Sequence, residues 1–470
     1  MNGLGLHKLS RRSFIKAGLG AAALTALFGC TPRQGGGQEG AAGKASTAVP
    51  AGGPKGSVVV FECCWNEEHI KAGKEIYNKF RADHPDIEVT DFWPLATTGW
   101  PEQLLAKTAA GEQVDIIWWC SSHHKFAEEG RLLDLRPIVD KDSSFKLADY
   151  QQVGVDFCYD KPGRAGQMWG LPTNYATILL WYNMKMFDAA GLKYPSPDWT
   201  WSDLLDTAKK LCKDTNGDGV NDEWGIGTNG GGGAMDGWIC QHIVKSWGGD
   251  YVAVDGEGCL LDKPESVEAL DWLAALLNTH MVMPKEANVG SMGSTAMFGS
   301  SKLAMLMGPE WNRFDLNPLH EKEGLEYGVQ LLPKGPKGRV TGYWPGITSI
   351  TSQAKSPDAA WTVAKWICGE DYQRKMTVEI PESPAARISV STYGFTEGLK
   401  YPEDKSAFLE SPKYGYLYFA NLRYGKEMTD LIEPALDPVW LGEQKPAQVV
   451  GDLCKQVNDR IAELKAAAKS

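Results

Sequence analysis

Asp214, Asn216, Asp218, Val220 and Asp222 fall at alternate positions around Gly219 in the stretch KDTNGDGVNDEW, Lys213–Trp224. Oxygen donors at loop positions 1, 3, 5, 7 and 9, with a glycine at 6 where the chain turns, are the pattern of a calcium-binding loop, Val220 offering its backbone carbonyl. Position 12, where a bidentate Glu closes the shell, is Gly225. There is one such loop, and calcium sensors work by moving paired helices. The expectation is therefore a static, structural Ca²⁺ site, with an ordinary Asp/Asn/Gly surface turn as the alternative. Other chemistry-bearing groups are less patterned. CSSHH (Cys120–His124), together with Cys63, Cys64 and His69, offers thiols and imidazoles for a soft or borderline metal, but CxxC and HxxxH spacings are missing. Glu67 or Glu310 with Asp236 could form the carboxylate pair of a glycosidase. GTNGGGGAMDG (Gly227–Gly237) lacks the Lys-Ser/Thr of a phosphate loop and reads as a flexible rim loop. Neither a nucleophile elbow nor HExxH is present.

The elements that position these groups begin after an address. SRRSFIK (Ser10–Lys16) is a twin-arginine pattern, and the apolar stretch Ala17–Phe28 is too short to span a bilayer. It closes on LFGC, a lipobox: the signal segment 1–30 ends at Cys30, which becomes the lipidated N-terminus once the chain is cut in front of it. Residues 31–56, rich in Gly, Ala, Pro and Ser, read as a flexible tether. Ten cysteines less Cys30 leave nine; with no scaffold spacing, few disulfides and mostly buried thiols are expected. The 470 residues exceed one core and imply two domains. The balance of 48 Lys+Arg against 59 Asp+Glu, net −11, gives no electrostatic case for nucleic acid.

SVVVFE (Ser57–Glu62) is a continuous β-branched run suited to a parallel strand buried on both faces. A helix with Ile76, Tyr77 and Phe80 on one side follows, then a strand Ile87–Val89, a helix bearing Leu104, Leu105 and Ala109, and a strand Val114–Trp119. That alternation predicts a doubly wound α/β lobe. Ala176–Asn183 is strand-like, and Thr200 with Asp203 caps a helix carrying Leu204, Leu205, Ala208 and Leu211. The acidic loop starts where that helix ends, so its expected task is to pin the helix end.

The stretches KEIYNKFRADHPDIEV (Lys74–Val89), AGEQVDIIW (Ala110–Trp118), FAEEGRLLDLRPIV (Phe126–Val139), GLPTNYATILLWYNMKMFDAAGL (Gly170–Leu192), TWSDLLDTAKKL (Thr200–Leu211) and SPDAAWTVAKWI (Ser356–Ile367) occur in an order and spacing that resembles the sugar-binding, maltose-binding-protein-like group of bacterial extracellular solute-binding proteins. The resemblance spans nearly the whole chain after the tether. It implies a type II periplasmic-binding fold: two α/β lobes, residues 57–173 plus 348–394 and residues 174–347 plus 395–470, hinged around a cleft. The crossings fall near Leu171–Tyr175, Trp344–Thr348 and residue 395. The resemblance also implies a monomeric receptor rather than an enzyme, held to the membrane by its lipid in the periplasm or on the outer face of the cell, which delivers a carbohydrate to the permease of an ABC importer. It supports Ca²⁺ in the second lobe.

A sugar receptor stacks aromatic rings on C–H faces and aims planar hydrogen bonders at hydroxyls. The residues placed for that work are Trp65, Trp93, Trp119, Tyr175, Trp238, Trp311, Tyr343 and Trp344, with Asn66, Glu67, Ser121, Ser122, Asn174, Asp236, Glu310 and Arg387 beside them. Trp361 and Trp366 are assigned to helix packing. The alternatives are a secreted glycoside-acting enzyme, or a receptor for a glycerol phosphodiester or a metal complex; an anion would call for several cationic side chains, and Arg387 is the one obvious candidate.

Overall fold

The computed structural model describes residues 54–63, 67–94, 100–119, 123–161, 164–229, 235, 237–289, 292–379, 383–418, 422 and 424–467. The address, Cys30 and nearly all of the tether lie outside the described residues. Strand β1 (Gly56–Glu62) buries Val58, Val60 and Phe61 and pairs in parallel with β2 (Ile87–Phe92) and β3 (Ile116–Trp119). Between them, helix α1 (Glu67–Asp83) lays its stripe of Ala72, Ile76, Tyr77 and Phe80 against the sheet. It stops at Asp83, just before His84-Pro85, because a residue preceding proline is driven out of the helical region. Helix α2 (Trp100–Ala109) leads into β3.

A hairpin of β4 (Tyr159–Lys161) and β5 (Ala165–Met168) precedes β6, a strand of 13 residues from Leu171 to Asn183. The remaining strands are β7 (Gly227–Thr228), β8 (Met305–Pro309), β9 (Tyr327–Gln330), β10 (Thr341–Ile350) and β11 (Gly415–Leu417). The sheet order is β2-β1-β3-β10-β6-β8-β7, with β11 beside β10 and β9 beside β6. Two strands thread both halves. β6 places Leu171 in a core with β1–β3 and places Ile178 and Leu180 in a second core. β10 places Ile347 and Ile350 in the first core and leans Trp344 on the second. A further passage lies between Ala386, in the first core, and Phe395 in the second half. These crossings make the two lobes.

In the second lobe β6 is covered on both faces. Ile178 and Leu180 point to one core while Leu179 and Trp181 point to another, as period-two side chains must. The capping box on Trp201–Leu211 is formed, Thr200 and Asp203 each bonding the other's backbone amide. Among the described residues one disulfide, Cys259–Cys454, ties the segment before helix Pro264–Asn278 to helix Pro446–Ala467. Cys63, Cys158, Cys240 and Cys368 are buried free thiols, and Cys212 is half-buried. No helix among the described residues is long and apolar enough to cross a membrane.

Candidate ligand-binding cleft

Where the crossover strands leave the first lobe, aromatic rings gather. Trp238 lies in the first turn of helix Gly237–Trp247, Trp311 in the turn Glu310–Asn312 directly after β8, and Trp344 in β10. The Trp238 and Trp311 rings stack with centroids 5.1 Å apart at 26°. Trp344 meets Trp238 edge-on at 5.5 Å and has Tyr418 at 6.1 Å on another side. Trp238 is buried and braces the group, whereas Trp311 and Trp344 are half-buried and keep ring surface open. Bare Gly342 gives the group room, since a Cβ there would crowd the Trp238 indole nitrogen at 3.3 Å.

Beside the rings, Glu310 is only 1% exposed. Its Oε1 accepts a 3.0 Å hydrogen bond from Ser383, and its Oε2 has no partner among the described residues. Burial pushes this carboxyl up to about 8 despite the pull of the Arg313 charge, so it is uncharged at neutral pH. Ser383 opens a segment laced to the crossover strand: Tyr175 donates its amide to the Pro384 carbonyl at 3.1 Å, and Ala386 to Thr173 at 3.0 Å. Glu310 thus joins the second lobe to a segment whose Ala386 lies in the first core. On the far side of the turn, Asn229 donates to the side chain of the buried Asn312.

Of the residues expected to line the cleft, Trp65, Asn66, Ser121, Ser122 and Asp236 lie outside the described residues. Trp119 ends β3, Glu67 opens α1 on its exposed side, and Asn174 is half-buried in β6. Trp93 is docked on α1: its indole donates to Asp91 at 2.6 Å, its ring lies 5.8 Å from both His69 and Tyr77, and bare Gly73 makes room for it. Three expectations need correction. Tyr175 and Tyr343 are buried, stacked on one another at 5.4 Å, with the Tyr175 hydroxyl donating to the Phe408 carbonyl, so both pack rather than face a ligand. Arg387 is spent on Asp149 at 2.6 Å. Burial opposes the Asp149 charge, but the hydrogen bonds from Arg387 and Ser389 outweigh it and hold the carboxyl below its usual value.

Sequence reasoning missed Ser383, Asn229, Asn312 and Tyr418. Asn312 follows Trp311 directly and Asn229 lies in the glycine-rich loop, which are usable signals; Ser383 carries none. Of CSSHH, Cys120–Ser122 lie outside the described residues. Among the described residues no group of three or more His, Cys, Asp or Glu side chains gathers to hold a metal ion.

The acidic loop turns at Gly217 and Gly219, with φ of 79° and 86°, which glycine adopts freely. Both Asp214 carboxylate oxygens accept backbone amides, from Gly217 at 2.7 Å and Gly219 at 2.9 Å. Asn216 and Asp218 accept the amides of Asp218 and Val220 at 2.8 Å each. Asp222 accepts the Thr215 hydroxyl and amide, which hold its carboxyl below the usual range. The bridge Lys213–Glu223 closes the loop's base at the end of helix Trp201–Leu211. Gly225 has a separate reason: a Cβ there would lie 2.3 Å from the Ala208 carbonyl oxygen. Position 12 therefore packs against the helix, and no side chain can reach back from it to a metal. The carboxylates of Asp214, Asp218 and Asp222 are turned to the loop's own amides and do not gather as a ready-made shell; each oxygen that accepts one amide keeps a second lone pair for a hard cation.

Residues 66–374 match the model of the bacterial extracellular solute-binding protein family. The chain belongs to that family. It is 23% identical over 444 residues to the sn-glycerol-3-phosphate-binding periplasmic protein UgpB of Escherichia coli K12, covering 86% of this chain and 93% of that protein. The ABC substrate-binding protein Lmo0181 from Listeria monocytogenes, solved in complex with cycloalternan, superposes with a TM-score of 0.70 at 21% identity, over 87% of this chain and 99% of that one. UspC from M. tuberculosis superposes with a TM-score of 0.68 at 23% identity, over 86% of this chain and all (100%) of that one. At such identities these structures establish the shared two-lobed fold.

Proposed function

We propose that this family member is a carbohydrate receptor: it captures a mono- or oligosaccharide between its lobes and delivers it, unaltered, to the permease of an ABC importer. Export by the twin-arginine route and a lipid on Cys30 would hold it outside the cytoplasm against the membrane. The observation that carries the reading is the pair of half-open indoles, Trp311 and Trp344, braced by buried Trp238 beside the uncharged carboxyl of Glu310. Indole faces stack on the C–H faces of a pyranose, and a buried carboxyl that keeps its proton behind them sets no negative charge against a neutral ligand. The commitment of Arg387 to Asp149 leaves this wall without the cation first assigned to it. The complex of the structural relative Lmo0181 with cycloalternan supports the same reading. A second reading, a glycerol phosphate receptor, draws support from the likeness to UgpB. In the second lobe the proposal includes one structural Ca²⁺, held by Asp214, Asn216, Asp218, the Val220 carbonyl and Asp222, with water or a neighbouring carboxylate in place of the missing twelfth ligand.

The test is thermal melting and tryptophan emission of the purified chain with maltose, maltotriose, cyclodextrins, trehalose and sn-glycerol 3-phosphate, followed by chromatography of each mixture. A sugar that raises the melting temperature, shifts emission and is recovered intact supports the receptor. A response to glycerol phosphate alone moves the assignment to the second reading, and consumption of a sugar refutes the receptor in favour of an enzyme.

A further inference from the structure

A cavity of about 20 Å³ lies where β3 and β6 meet residues 372–377 and Ser383, with Trp118, Thr173, Asn174, Thr377 and Ser383 among its walls. That space admits one water or one hydroxyl-bearing carbon and excludes a ring. Most of the polar groups around it are already engaged. Thr173 pairs with Thr348 at 2.9 Å, Thr377 donates to the Gln373 carbonyl at 2.6 Å, and Ser383 donates to Glu310. Trp118 is the exception. Its side chain is 2% exposed, yet its indole N–H has no partner among the described residues. A buried donor left so carries its full desolvation cost unless something enters to accept from it.

The neighbouring backbone is shaped for such an entry. At Gly346 an added Cβ would lie 1.8 Å from the Asn174 Oδ1 and 3.3 Å from the Trp118 Cζ2. Bare backbone there lets the Asn174 amide and the nitrogen-bearing edge of the indole come together. Asn174 and Ser383 are the half-buried members of the wall, and the bond from Ser383 to Glu310 ties it to the aromatic wall of the cleft.

We propose that this cavity is an end subsite of the cleft that takes a hydroxymethyl arm of the ligand, its oxygen accepting from Trp118 Nε1 and its hydroxyl hydrogen-bonded to the Asn174 amide. The inference rests on the carbohydrate reading and adds to it which part of the sugar is read in the first lobe. Indole nitrogen only donates, whereas the Asn174 amide can donate or accept, so a group that is both donor and acceptor matches the pair. A hydroxyl is such a group.

The test uses ¹⁵N-indole spectra of the whole chain, with Trp118→Phe, Trp311→Phe and Trp344→Phe identifying the three signals. The probes are glycerol, methyl α-D-glucopyranoside and its 6-deoxy analogue. The Trp118 signal should move with the first two and not with the third. Trp118→Phe should weaken methyl glucoside roughly 5–10-fold, the worth of one hydrogen bond, and leave the 6-deoxy analogue within about 2-fold. Movement of the Trp311 and Trp344 signals by methyl glucoside with Trp118 still overturns the subsite while the carbohydrate reading stands. Movement of Trp118 by glycerol alone supports the subsite and counts against a pyranose ligand. Silence of every indole with all three probes overturns the subsite, and the carbohydrate reading falls with it when the oligosaccharides are silent as well.

Discussion

Glu310→Gln should make the protein more stable, increasingly so as pH rises. Burial lifts the folded-state carboxyl from 4.5 to about 8, while in the unfolded chain it titrates near its ordinary value. Between those two pH values the folded state holds a proton that the unfolded state has released, so ionisation favours unfolding. Stability is thus full below pH 4.5 and falls by about 1.4 kcal/mol per pH unit until pH 8, roughly 3 kcal/mol by pH 7. Glutamine keeps an acceptor for Ser383 and a donor where the acid proton sat, without the ionisation. Urea denaturation of both proteins at pH 5, 6, 7, 8 and 9 gives the difference in stability. Glu62, another buried carboxyl raised by burial, acts equally in both proteins and cancels. The expected difference is small at pH 5 and grows in favour of glutamine to about 3 kcal/mol at pH 7 and about 4 kcal/mol at pH 8. A difference flat within about 0.5 kcal/mol, or a substitution that destabilises at every pH, would mean that Glu310 is ionised against Arg313 and would refute the neutral-acid reasoning.

Trp344→Ala removes an open stacking face and should weaken the best-bound sugar by about 10–100-fold in calorimetric titration; unchanged affinity would remove this wall from the site. Chelation with EGTA should lower the melting temperature by a few degrees, as expected when a ligand present at about 100 times its Kd is lost, roughly 2.7 kcal/mol. Asp214→Ala should abolish that response, and a melting temperature indifferent to EGTA would leave the loop a turn stabilised by its own hydrogen bonds. The double substitution Cys259→Ser, Cys454→Ser should cost about 3–5 kcal/mol of unfolding free energy, read by urea denaturation, through the chain closure it releases, and a loss below about 1 kcal/mol would show that helix Pro446–Ala467 is held by packing alone.

What the sequence showed plainly was whatever local pattern decides: the β-branched run of β1, the apolar stripe of α1 and the box of Thr200 and Asp203. The start of β6 escaped it. The strand-like run starts at Ala176, whereas β6 starts at Leu171: Pro172 pairs across from Ile347 where the β6–β10 register shifts, a place where a missing N–H costs the ladder little. The partner lies in β10, far along the chain, so no local window contains the reason. The same limit governs the site. Tyr343 and Trp344 are neighbours in one strand, and adjacent strand residues must face opposite sides; one had to be interior. Which one depends on Tyr175, arriving on β6 to stack on Tyr343, and on Trp238, whose helix begins a hundred residues earlier in the chain and supports Trp344. Gly225 runs the other way: read as a defect in a calcium loop, it is a position where the Ala208 carbonyl leaves no room for any Cβ. The helix end that the loop was expected to pin is what dictates the missing ligand, so packing and any metal binding share one short segment, and packing prevails at the one position where they conflict.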